Sequence, residues 1–90
     1  MKGIIRTEGH AMKPKASEKE WADAVRRFLK IELKRAEVTY AELAERLKKH
    51  GLQETEASIT SKLNRGTFAA VFFLACLAAL ELEGVRLEDV

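Results

Sequence analysis

Cysteine, proline, tryptophan and tyrosine each occur only once among the 90 residues. A single thiol, Cys76, cannot close an intramolecular disulfide, which excludes a disulfide-stapled secreted domain and leads us to expect a reducing, cytoplasmic setting. The one proline, Pro14, lies in the opening stretch MKGIIRTEGHAMKPK, whose longest apolar run is two residues, so no signal-peptide core is expected there. No alternating apolar–polar segment of useful length occurs, which argues against strands. A chain this short buries roughly 60% of its unfolded surface and holds one core, with little apolar surface left for a deep substrate cavity. There is no glycine-rich phosphate loop, no Gly-x-Ser-x-Gly elbow and no pair of carboxylates framed by apolar walls. His10, His50 and Cys76 share no metal-ligand spacing. Neither enzyme activity, a metal nor a cofactor is expected.

Charge is abundant but nearly balanced, with 16 Lys+Arg against 14 Asp+Glu. Its distribution is uneven. Residues 1–15 carry four basic groups and one acidic group, residues 16–80 eleven and nine, and residues 81–90 one and four. We therefore divide the chain into a flexible basic arm over 1–15 and a domain over 16–90.

Most of the domain is built from Ala, Leu, Glu, Lys and Arg, all good helix formers, and predicts an all-α fold. Ser17-Glu18-Lys19-Glu20 reads as a capping box and starts a first helix at about Glu18. Trp21, Val25, Phe28 and Leu29 form its apolar stripe, and Lys34 and Arg35 suit its C-terminal dipole. Thr39-Tyr40-Ala41-Glu42 reads as a second box, opening a helix with Tyr40, Leu43, Ala44 and Leu47 on one face. Lys48-Lys49-His50-Gly51 closes it, with Gly51 able to turn left-handed and Leu52 tucking inward. A third, mostly polar helix runs from Thr55 or Glu56 to Asn64, with Gly66 just past its end.

A fourth helix is expected from near Thr67. Phe68 to Leu80 are thirteen consecutive apolar residues, about 20 Å of helix against ~30 Å of hydrocarbon, so it is not read as a membrane span. Trp21, Phe28, Phe68, Phe72 and Phe73 are assigned to packing. A helix apolar on all sides needs covering on all sides, which three short helices cannot fully supply. The excess is read as a homodimer seam, the alternative being that Trp21, Ile4 and Ile5 fold back over it.

Thr39-Tyr-Ala-Glu-Leu-Ala-Glu-Arg-Leu47 resembles the second helix of the lambda-repressor-like helix-turn-helix regulators. Ser61-Lys-Leu-Asn-Arg-Gly66 resembles the end of their recognition helix. Phe73 to Leu80, followed by Gly84-Val85 and Leu87-Glu-Asp89, is similar to their buried helix, closing glycine and acidic last turn. Asn64-Arg-Gly-Thr-Phe with Ala70-Val-Phe-Phe-Leu74 also resembles a compact bacterial family of the same helix order and no assigned function. The resemblance covers about residues 28–89 and implies a compact four-to-five-helix domain. Two departures stand out: Lys48 to Glu54 lengthens a turn that is usually three residues, and Glu54 and Glu56 occupy a start usually given to Gln, Ser, Arg or Thr.

The resemblance implies a transcriptional regulator that binds double-stranded DNA as a homodimer, reading half-sites about 34 Å apart with its third helix. Thr55, Glu56, Ser58, Ser61 and Lys62 are then the candidates for base or nearby phosphate contact, with Asn64, Arg65, Lys48 and Lys49 at the backbone. Residues 46–65 hold five basic and two acidic groups, a local excess suited to counterion release. The alternative is a protein-interaction module that kept the helices and lost DNA, meeting its partner through the apolar helix and the Glu54/Glu56 region.

Overall fold

A computed structural model describes residues 15–90. The arm over 1–15 lies outside the described residues except for Lys15, as do Ile4, Ile5 and His10. The described chain is all-helical: α1 (Glu18–Ala36), α2 (Tyr40–Lys49), α3 (Glu56–Arg65) and α4 (Ala70–Ala79), then one 3-10 turn over Leu87–Asp89.

The caps explain where three of the helices begin. Ser17 accepts from the Glu20 amide at 3.1 Å, and Thr39 from the Glu42 amide at 3.1 Å. The reciprocal half of each expected box is absent. Glu20 takes the Ala16 amide at 2.6 Å instead of that of Ser17, and Glu42 is drawn to Arg46 at 3.0 Å. A complete box occurs where the sequence reading did not place one: Thr55 accepts from the Ser58 amide at 3.0 Å while Ser58 accepts from the Thr55 amide at 2.9 Å.

Three helices end in the same two-bond pattern, in which a residue just past the helix donates to the carbonyl five positions back and the residue before it to the carbonyl three positions back. After α2, Leu52 donates to the Leu47 carbonyl and Gly51 to that of Lys48, with Gly51 at φ 89°. After α1 and α4 the left-handed position is held by Glu37 (φ 60°) and Glu81 (φ 61°). The structure therefore corrects the assignment of Gly84 as the closing residue of the last helix: Glu81 closes it, and Gly84 lies further on in open space.

α4 begins at Ala70 rather than near Thr67. Its N-cap is Ala69, whose side chain has no oxygen to offer, and Phe68 sits outside the helix against Phe72 and Phe73, at ring centroids of 5.1 and 6.4 Å. Packing of that ring is achieved by an extended segment over 67–69, across which α3 and α4 bend by 117°.

The core joins Phe28, Leu29 and Leu33 of α1, Leu43, Ala44 and Leu47 of α2, Ile59 and Leu63 of α3, and Phe72, Cys76 and Leu77 of α4. Leu52 packs against it, as expected. Trp21 does not: it is 43% exposed, with the Lys15 ammonium 5.1 Å from its ring centroid. The buried stripe of α1 begins one turn later, at Ala24, because the first turn extends past the core. α4 is likewise only half covered. Phe72, Cys76, Leu77 and Ala79 are buried, whereas Val71 and Leu74 are 67% and 61% exposed.

No single helix among the described residues is long and apolar enough to cross a membrane. No three His, Cys, Asp or Glu side chains among them gather as a metal site.

Candidate nucleic-acid interface

α3 is held from beneath by Ile59 and Leu63, which are 0% and 1% exposed, so its rotation about its own axis is fixed. The opposite face carries Glu56, Ala57, Ser61, Asn64 and Arg65, all exposed, with Thr60 half-buried beside them. Apart from Arg65 and Glu56 these are short side chains. Thr60 donates its hydroxyl to the Glu56 carbonyl at 2.9 Å, a back-bond within the helix.

Two of the expected contact residues turn the other way. Glu54, with its side chain 8% exposed, accepts from the Ser58 hydroxyl at 2.6 Å and from the Lys62 ammonium. Lys62 also lies 4.7 Å from the centroid of the Phe72 ring. Burial would raise the Glu54 pKa, but the Lys62 and Ser58 donors outweigh it and hold the carboxyl below its ordinary value. This cluster anchors the long α2–α3 connection to α3, so Glu54, Ser58 and Lys62 set the position of the helix while the outer face is left to others. The two glutamates that the sequence placed together are thereby separated: one is inside, the other outside.

A shallow groove flanks each end of α3. At its start, Lys48 of α2 shares one with Gln53, Glu54, Thr55 and Glu56. Lys48 pairs with Glu45 at 3.3 Å across an exposed surface, an interaction that water screens strongly. Lys49, next to it, is exposed. At the other end, Asn64, Arg65 and Thr67 share a groove with Lys19, Ala22, Asp23 and Arg26 of α1. Arg65 donates to the Thr67 carbonyl at 3.3 Å and Arg26 to the Asn64 carbonyl at 3.1 Å. Hydrogen bonding from Lys19 lowers the Asp23 pKa; partial burial opposes this, and the nearby Arg26 and Arg27 charges add to the lowering.

Of the nine residues singled out from sequence, Thr55, Glu56, Ser61, Asn64 and Arg65 lie along or at the ends of the outer face, Lys48 borders it, and Lys49 is exposed next to Lys48. Ser58 and Lys62 belong to the inner cluster. The sequence groups Ala57 with Ile59 and Leu63 as the apolar members of the third helix, but Ala57 is exposed on the outer face, and Thr60, which helical spacing from Asn64 places on that face, was not singled out. Sequence reasoning also did not find Lys19, which lines the same groove, or Arg26, whose bond to the Asn64 carbonyl spans 38 positions of chain and follows only from how α1 packs.

The class defined by this architecture is an all-helical domain with a polar third helix packed against α2 and α1 and an apolar, half-covered fourth. The sequence model of a family described as a domain of unknown function (DUF6471) matches residues 21–85, and the chain belongs to that family. No curated protein and no solved structure matches the chain.

Proposed function

We propose that this domain is a small transcriptional regulator of lambda-repressor-like helix-turn-helix type, binding double-stranded DNA with α3 in the major groove. The observation that carries the reading is the outer face of α3. It offers short hydrogen-bonding side chains on a helix whose orientation is fixed by Ile59 and Leu63, with cations flanking both ends. The ten residues of α3 span about 15 Å, against a major groove about 12 Å wide. Lys48 and Lys49 at one end and Arg65 at the other are therefore spaced to meet phosphates on both sides of the groove.

Two copies would join through α4. Val71 and Leu74, with the small Ala75 and Ala78 on the same side, form an uncharged stripe that a second α4 can match by two-fold symmetry. That arrangement supplies one α3 per half-site.

The test is fluorescence anisotropy on duplex DNA with the wild type and a Lys49→Glu/Arg65→Glu double variant, beside sedimentation of Leu74→Glu. The expected results are at least tenfold weaker binding by the double variant with an unchanged melting temperature, and a monomer for Leu74→Glu. Wild-type protein that binds no duplex at low salt overturns the DNA reading. In that case the exposed Val71 and Leu74 favour the second reading, a protein-interaction module using the same helix.

A further inference from the structure

We infer that Glu56 is a specificity residue of this interface, accepting a hydrogen bond from the N4 amino group of a cytosine in each half-site. The inference rests on the DNA reading above and adds to it which base the helix selects.

Glu56 is the first residue of α3 and is exposed. It is the only acid on the outer face, because Glu54 is engaged with Lys62 and Ser58 below it. Among the described residues its carboxylate has no ion-pair or hydrogen-bond partner, a state it shares with Glu18, Glu37, Glu81 and Glu83, none of which lies on α3, whereas Glu54 beside it pairs with Lys62. Helix-turn-helix docking brings the N-terminal residues of the recognition helix to the base edges, which is where Glu56 stands.

An ionised carboxylate only accepts. The major groove presents two amino donors, cytosine N4 and adenine N6. Beside adenine N6 lies N7, an acceptor whose lone pair would face the second carboxylate oxygen. Cytosine has no acceptor of its own next to N4, so a carboxylate fits it without that repulsion. Over guanine or thymine, Glu56 meets acceptors and the surrounding phosphates with no compensating bond, and over adenine its one bond to N6 is opposed by the neighbouring N7. It therefore discriminates chiefly by penalising wrong sequences.

The test is selection from a randomised duplex pool with wild-type protein and with Glu56→Gln, followed by anisotropy on the selected site and on mixed-sequence duplex. The wild type is expected to select a fixed cytosine, with about a tenfold loss when it is replaced. Glu56→Gln is expected to lose that preference, to bind mixed-sequence duplex several-fold more tightly, and to melt at nearly the same temperature. Wild-type selection of a site whose cytosines are all indifferent to Glu56→Gln overturns the inference and leaves the DNA reading standing. Absence of duplex binding by the wild type overturns both.

Discussion

Gly66 lies against the backbone of Ala22, so that a Cβ at position 66 would stand 2.6 Å from the Ala22 carbonyl oxygen. Gly66 is also left-handed, at φ 72°, and its amide closes α3 by donating to Lys62. One residue thus ends the helix and sets how closely α1 approaches it. Gly66→Ala meets both obstacles at once and is expected to cost on the order of 3 kcal/mol, read by urea unfolding. A loss below about 1 kcal/mol would mean that α1 and α3 are not in this contact.

Two other helix ends predict the opposite sign. Glu37 and Glu81 hold left-handed positions that glycine adopts without strain, and both are exposed. Glu37→Gly and Glu81→Gly are each expected to stabilise the domain by roughly 0.5–1 kcal/mol, after allowing for the greater freedom of glycine in the unfolded chain. Each raises Tm by a few degrees in calorimetry.

The Glu54 cluster gives a pH dependence. Its folded-state pKa lies below the ordinary value, so its stabilisation is present above that ordinary value and is lost as pH falls toward the folded one. Unfolding free energy should therefore decline on acidification below about pH 5, and Glu54→Gln should flatten part of that slope while costing about 1–2 kcal/mol at neutral pH. Lys62→Glu would set two carboxylates against each other beneath α3. It should lower stability as well as any binding, which makes Arg65 the cleaner probe of DNA contact.

Cys76 is fully buried, and burial, with the Glu54 charge beside it, pushes its thiol up to about 12. It should react with a thiol reagent only through opening of the fold, so the labelling rate rises with denaturant in step with unfolding. Rapid modification in native buffer would contradict the packing of α4.

Much of the helix order was legible because Ser17, Thr39, Gly51 and Gly66 are local signals, acting within a few residues of where they stand. The misplaced boundaries have local causes that propensity does not encode. Glu81 closes α4 in place of the expected Gly84, and Phe68 leaves its helix to pack against Phe72. The candidate interface was legible as a segment but not as a surface. Lys62 and Arg65 are both basic residues of α3, yet one points under it toward Glu54 and the other outward. Arg26 reaches the same end only through tertiary packing. Trp21 shows the converse: its spacing fits the apolar stripe, but the stripe runs past the end of the core.

The central claim is that α3 and its flanking cations engage the DNA backbone, and its most direct test is the salt dependence of affinity for mixed-sequence duplex. On the proposed reading, Lys48, Lys49 and Arg65 from each of two subunits would give about six phosphate contacts, hence a slope of log affinity against log salt near −5. Affinity should fall about 10³-fold between 50 and 200 mM salt, with Lys49→Ala and Arg65→Ala each making the slope shallower. An absence of binding at 50 mM salt, or binding whose slope is indifferent to both substitutions, would contradict the account.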